Sequence, residues 1–403
     1  GAKASEAILQ GIAKDGGLYV PLSFPVLTKA ELEYLIPLEY YERSAYILSK
    51  FLTDYDPEDL KTYTKKAYAR FDGDPAPVLK LDDETYVLEL FHGPTYAFKD
   101  IALTLLPHLL VGARKQLNVK EKTLILVATS GDTGKAALEG FKDVEGAEIV
   151  VIYPADGVSE MQKLQMQTAE GKNVHVIGIN GNFDDAQSTV KRIFGSEEAK
   201  ERFASMGYSL SSANSINWGR LVPQIVYYFS AYLDIVGTDE IKMGDKINFS
   251  VPTGNFGNIL AGYYAKRMGL PINKLIVASN QNNVLTDFFN KGEYNANREF
   301  YKTMSPSMDI LVSSNLERLL FELYDRDFER IVELMEKLQY DKAYYVDVEE
   351  IEAKLSEFVA YYTNEADTLE AIKYVNLMFN YTLDPHSAVG ANALYMYRDD
   401  TDD

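Results

Sequence analysis

The chain has 403 residues, enough for two domains, and its 40 basic against 60 acidic residues give a net charge of −20. The acid surplus disfavours nucleic acid or an anionic membrane as a partner, because both are held by excess Lys and Arg; a small anion needs only a local pocket of donors. Cysteine is absent, which excludes disulfides and a thiol nucleophile, and the four histidines (His92, His108, His175, His386) are too scattered for a paired-His metal site, so no metal is expected.

In chain order, the N-terminal GAKASEAILQG lacks the basic-then-apolar pattern of a secretory leader. No apolar run reaches the roughly 18 residues that a bilayer requires. A soluble, cytoplasmic protein is expected. The missing initiator Met is expected to mark a start inside a longer chain, and the acidic RDDTDD ending reads either as a solvated tail or as a cut in a longer chain. Residues 1–80 read as a mainly helical segment; in DPEDLKTYTKKAYARF acids precede bases, as the helix dipole favours. From Val87 the character changes. Apolar β-rich runs at 86–90, 123–128, 148–154, 173–179, 247–252 and 274–279 alternate with helical stretches. Such runs predict parallel strands covered on both faces, an α/β class. Pro107 removes a backbone donor inside an expected helix and predicts a kink there. The reading divides the rest into a smaller α/β domain, 81–215, and a larger one, 216–403, whose LERLLFELYDRDFERIVELMEKL has helical apolar spacing.

Ligands of α/β sheets gather beyond the carboxyl ends of strands, so the turns there come first. TLILVA runs into TSGDTG and then a helix: backbone N–H groups with the hydroxyls of Thr129, Ser130 and Thr133 can cradle a carboxylate or phosphate. The plainer reading, a well-capped helix start, is about equally good. INFSVP runs into TGNFGN and another helix, a second cradle. Its Gly254 and Gly257 do not make the GxGxxG fingerprint, and the next strand ends in Ser279 and Asn280 with no acid for a ribose, so a nicotinamide cofactor is disfavoured. In LELFHGPTYAFKDIAL, Lys99 follows Phe98 at a strand-to-helix junction; partial desolvation there lowers a lysine's pKa and favours imine chemistry. Two anion cradles and one semi-buried lysine suit a small phosphorylated aldehyde, and pyridoxal 5′-phosphate (PLP) meets that description.

The segments ELFHGPTYAFKD, ATSGDTG, SSANSINWGRLVPQ, VPTGNFGN and DPHSAVG resemble, in order and spacing, the motifs of threonine synthases of the bacterial type, PLP enzymes of the tryptophan-synthase-β fold (fold type II). The resemblance runs from about Ser5 to about Gly390. It implies two domains of parallel-rich twisted sheets flanked by helices. It also implies a carbon–oxygen lyase that turns O-phospho-L-homoserine and water into L-threonine and phosphate, the last step of threonine biosynthesis. Lys99 would form the Schiff base with PLP and move protons at the substrate carbons. Gly254, Asn255, Phe256, Gly257 and Asn258 would hold the cofactor phosphate, and Asp132 would lie near the ring. Thr129, Ser130, Gly131 and Thr133 would hold the substrate α-carboxylate, and Asn217 and Arg220 the substrate phosphate, which the planar fork of Arg suits. Without the motif, Arg220 reads as a surface residue of an amphipathic helix. Family members continue past DPHSAVG with a strand and turn whose Ser or Thr faces the ring nitrogen, so that partner is expected from outside the printed residues or from elsewhere in the chain.

His92 reads either as a neighbour of the site or as a backbone-bonded structural residue, His386 as a structural or capping residue, and His108 and His175 as packing residues. Two rival readings stay open: another PLP elimination on the same fold, such as a phospho-lyase that releases a keto acid, and a catalytically silent binding protein. Absent Walker and GxGxxG patterns weaken a nucleotide-binding module. A small phosphorylated amino acid is the expected partner, with the protein a monomer or a homodimer.

Overall fold

The computed structural model describes residues 1–401 apart from Ser130, Asp156, Gly157, Ser159 and Asn182. They form two compact units, Gly1–Ile241 and Lys242–Asp403.

The first unit opens with four helices, α1 (Ala4–Gln10), α2 (Lys29–Leu35), α3 (Tyr40–Ser49) and α4 (Pro57–Tyr68). Helix α4 has the features its sequence promised: Asp56 caps it, Pro57 occupies the first turn, and Lys65 and Lys66 sit in the last. Strands β1 (Val78–Lys80) and β2 (Tyr86–Leu88) pair antiparallel, with Val78 opposite Leu88. The run at 86–90 is therefore a strand, but not one of the parallel set expected. It is only half-buried and stops after three residues.

Next come α5 (Asp100–Leu103), α6 (Leu106–Gln116), β3 (Lys122–Ala128), α7 (Asp132–Phe141), β4 (Ala147–Pro154), α8 (Glu160–Gln167), β5 (Val174–Ile179), α9 (Phe183–Gly195), α10 (Glu197–Ser205), β6 (Tyr208–Ser212) and α11 (Trp218–Gly237). Strands β5-β4-β3-β6 make a wholly parallel sheet in that order. All but the first residue of β3 are buried, as a central strand covered on both faces must be. On one face Leu124, Leu126, Ala128 and Ile152 pack against Ala186 and Val190 of α9. Pro107 acts more strongly than a kink. It cannot bond the Leu103 carbonyl, so the helix ends at Leu103 and restarts with Pro107 in the first turn of α6. Gly140 of α7 fills the room beside that carbonyl, where any Cβ would overlap it. Helix α11 is buried along nearly its whole length and packs on α3, α5 and α6, so it belongs with this unit. The boundaries read from sequence, at 80/81 and 215/216, divide the chain differently.

The second unit contains β7 (Ile247–Pro252), α12 (Gly257–Arg267), β8 (Ile272–Ser279), α13 (Val284–Lys291), β9 (Glu293–Asn295), a 3₁₀ turn (Pro306–Met308), α14 (Leu316–Leu323), α15 (Phe328–Tyr340), β10 (Ala343–Tyr345), α16 (Val348–Lys354), β11 (Phe358–Tyr362), α17 (Glu365–Phe379) and α18 (Pro385–Asp400). Its sheet, β11-β8-β7, is parallel, and β9 pairs antiparallel with β10. One core layer joins Ile276 and Ala278 of β8 to Val389, Ala393 and Tyr397 of α18. Among the described residues no helix is long and apolar enough to cross a membrane.

Candidate active site

In the first unit the site is built around the junction that carries Lys99. Asp100 is buried and closes the preceding turn: its carboxylate accepts from the Thr95 N–H at 2.8 Å and from the Thr95 hydroxyl at 2.6 Å. Burial raises the Asp100 pKa, and the Thr95 bonds oppose the shift. Lys135, on α7, donates to the Thr95 carbonyl at 2.9 Å and so ties the turn to the neighbouring helix. Fixed this way, the Lys99 side chain is 13% exposed, with Nζ 5.0 Å from the centre of the Phe98 ring. Burial lowers its pKa; Asp132 pulls the other way and Arg220 adds to the lowering. The neutral amine, the form that attacks an aldehyde, is thereby favoured.

Asp132 begins α7, with one carboxylate oxygen 3.7 Å from the Lys99 ammonium and the other accepting from Gln162 of α8 at 2.8 Å. Around it the 129–134 turn is drawn tight: the buried Thr129 hydroxyl accepts from the N–H groups of Gly131 at 3.0 Å and Gly134 at 2.9 Å. Thr129 therefore shapes the turn from inside. Gly131 adopts a φ of 148°, and Thr133 lies one residue inside the helix. Ser130 lies outside the described residues.

Asn217 and Arg220, paired in the sequence reading, part company here. Asn217 is fully buried and caps α11: its amide oxygen accepts from Gly219 N–H at 2.8 Å, while its two amide hydrogens go to the carbonyls of Ile8 at 3.0 Å and Ser212 at 2.8 Å. Both amide hydrogens are thus engaged within the protein, and Asn217 positions the start of α11. Arg220 is buried too, not on the surface, and donates one short bond to the Ala213 carbonyl. Its Nε has no partner. Burial alone lowers its pKa to about 10, with no carboxylate compensating among the described residues. A desolvated guanidinium that has no carboxylate beside it among the described residues is suited chemically to an anion.

In the second unit the loop from Thr253 to Asn258 joins β7 to α12. Phe256 takes a left-handed backbone at φ 67°, with its ring buried against Phe289 and Phe358. Only its backbone faces the loop's open side. Asn258 braces the base, donating to the Pro252 carbonyl at 2.9 Å and accepting from the Thr253 hydroxyl at 2.8 Å. Among the described residues none accepts from the N–H groups of Gly254, Asn255, Phe256 or Gly257. Four free donors at the start of an eleven-residue helix suit a phosphate. Taken separately, each unit offers a group that suits PLP: in the first the buried amine of Lys99, its pKa lowered by burial, suits the aldehyde, and in the second these donors suit the phosphate.

Of the histidines, His92 sits 2.8 Å from Glu89 and stacks on Phe91. His386 accepts from the Ser307 N–H at 3.1 Å and is structural. His108 stacks on Tyr63. His175 is a correction: it is exposed, beside Glu148, because β5 is an edge strand. Sequence reading missed Asp100 and Gln162. The adjacency of Asp100 to Lys99 is a local signal for the first; no local signal marks the second.

Residues 74–402 match the family described as pyridoxal-phosphate dependent enzyme, and residues 1–68 match the threonine synthase N terminus. The chain is 40% identical to threonine synthase of Pseudomonas aeruginosa, covering 96% of this chain and 80% of that one. It is 42% identical to human threonine synthase-like 1, again over 96% of this chain but 53% of the relative, so it spans about half the length of that protein. The crystal structure of PLP-bound threonine synthase from Brucella melitensis superposes with a TM-score of 0.90 at 40% identity, over 98% of this chain and 82% of that one. The fold is thus that of a PLP-dependent enzyme, and PLP is its cofactor. Within that class, the chain belongs to the threonine synthase family.

Proposed function

We propose that this protein converts O-phospho-L-homoserine and water to L-threonine and phosphate. The observation that carries the proposal is Arg220, a buried guanidinium with no acidic partner among the described residues, close enough to Lys99 to depress its proton affinity. A lysine-based PLP site needs no such charge unless the substrate brings a second anion. Bound PLP supplies the electron sink for carbanion character at the substrate α carbon. Lys99 Nζ takes protons from the α and β carbons. Arg220 holds the phosphate and receives it as it leaves the γ carbon. Lys99 then returns a proton to that carbon, water adds at the β carbon, and the α carbon is reprotonated. Asp132, held by Gln162, keeps the amine oriented. Gly131 and Thr133 receive the substrate carboxylate, and residues 254–258 hold the cofactor phosphate.

The test is incubation with PLP and O-phospho-L-homoserine, with products identified by NMR and Lys99→Ala run alongside. Threonine and phosphate from the parent protein alone are expected. The second reading is elimination without hydration at the same site; the chain is about as identical to human threonine synthase-like 1 as to bacterial threonine synthase. It consumes its water at the imine carbon and yields 2-oxobutyrate, ammonia and phosphate instead. Turnover unchanged in Lys99→Ala would sink both. A cytoplasmic monomer or homodimer completes the proposal; fractionation and light scattering test those two points.

A further inference from the structure

Asn258 braces only the base of the loop 253–258. The loop's carbonyls are tied back by a segment some sixty residues further along the chain. The Ser313 hydroxyl donates to the Gly254 carbonyl at 2.6 Å. The Asn255 carbonyl receives two donors from one residue, the Asn315 N–H at 3.1 Å and the Asn315 side-chain amide, also at 3.1 Å. Asn315 is in turn oriented by Arg318, one turn on in α14, which donates a short bond to its amide oxygen. Both side chains are completely buried, Asn315 at 0% and Arg318 at 1% exposure. Tyr294 anchors the start of the segment: its hydroxyl accepts from the Ser313 N–H at 2.7 Å and donates to the Leu311 carbonyl at 3.0 Å.

The effect on the loop is directional. Peptide groups are rigid, so pulling the carbonyls of Gly254 and Asn255 to one side turns the N–H groups that share those peptides, on Asn255 and Phe256, to the other. Those are two of the four donors left without acceptors among the described residues. A cationic donor on the Asn315 amide oxygen also polarises that amide and strengthens its N–H as a donor to Asn255.

We propose that Asn315 and Arg318, with Ser313, are positioning residues for the cofactor phosphate, acting through the backbone of residues 254–256. The proposal rests on the reading of that loop as the phosphate cradle. It requires a specific kind of defect on mutation: loss of affinity for the phosphate and not for the pyridine aldehyde.

Asn315→Asp is the first variant. It keeps the side-chain shape and an oxygen for Arg318 but loses both amide hydrogens, so an oxygen faces the Asn255 carbonyl. The affinities of PLP and of pyridoxal, the same aldehyde without its phosphate, are measured by titrating each into apoprotein and following the imine absorbance. Phosphorus NMR of bound PLP and the melting temperature of the apoprotein are recorded alongside. The parent is expected to prefer PLP strongly. In Asn315→Asp that preference should shrink by about tenfold, the loss of one charge-assisted bond. Pyridoxal affinity should stay close to that of the parent and the phosphorus resonance should shift, while the apoprotein melting temperature measures separately what the lost buried bond costs the fold. Ser313→Ala, a smaller change at the same loop, should reduce the preference by about threefold and serves if Asn315→Asp fails to fold. An unchanged preference, or equal weakening of PLP and pyridoxal, overturns the proposal. A parent protein with no preference would instead remove the cradle reading itself, and this inference with it.

Discussion

Replacing Asn217 by Ala separates a structural residue from a substrate-binding one. The substitution deletes the cap of α11 and leaves two carbonyls, those of Ile8 and Ser212, without the donors they now have. A lost side-chain cap costs about 1 kcal/mol. Each buried carbonyl left unpaired adds about 1–3 kcal/mol. Taking the lower half of that range, the unit Gly1–Ile241 should lose about 3–5 kcal/mol. For a unit of that size the melting temperature then falls by roughly 6–10 °C. Thermal and urea unfolding measure the loss, and steady-state kinetics at a temperature well below the transition give KM for O-phospho-L-homoserine. The expected pattern is a large loss of stability with KM changed by less than about twofold, because both amide hydrogens are engaged within the protein. A variant as stable as the parent with a strongly raised KM would refute the reasoning and return Asn217 to the phosphate.

Arg220→Met should show the opposite pattern. It removes an uncompensated buried charge, so the unfolding midpoint holds or rises, while KM for the phosphorylated substrate increases by about 100-fold and inhibition by inorganic phosphate disappears. An unchanged KM would remove Arg220 from the site. His108 provides a pH test away from the chemistry. Burial, with Lys66 and Arg70 adding to it, lowers its pKa from 6.5 to about 4, so the folded state binds this proton less readily than the unfolded chain. Stability should therefore drain away as pH falls from 6.5 towards 4. His108→Gln should match the parent in urea at pH about 7 and exceed it at about 4.5; equal midpoints at both values would contradict the burial argument.

Much of the fold is legible in the sequence where both faces of an element are covered. The apolar runs of β3 and β4 admit one reading, since a strand without polar alternation must be sandwiched. At the margins the same residue types mislead. Tyr86–Leu88 has β-forming composition, but composition does not name a strand's partner, and here the partner is antiparallel β1. His175 reads as packing until the sheet order makes β5 an edge. Pro107 predicts a disturbance, and its full consequence, two helices and a bare carbonyl facing Gly140, depends on α7 lying alongside. Asn217 and Arg220 stand one helical turn apart, so both suit an anion. Only the positions of Ile8 and Ser212 show that one of them is already fully engaged.

The two turns read as anion cradles show why sequence reaches one kind of site residue and misses another. Both follow a parallel strand, and both lead into a helix whose first N–H groups lack helical partners. In the first, organisation is local: the Thr129 hydroxyl gathers the N–H groups of Gly131 and Gly134, so the motif ATSGDTG contains its own support. In the second, the carbonyls of Gly254 and Asn255 are drawn back by Ser313 and Asn315, and Asn315 is steered by Arg318. The motif VPTGNFGN holds the donors but not what aims them. A reader of that motif alone would expect its glycines and asparagines to suffice. The structure requires the later SSNLER segment as well, so substitutions in two stretches of sequence far apart should weaken the same phosphate contact.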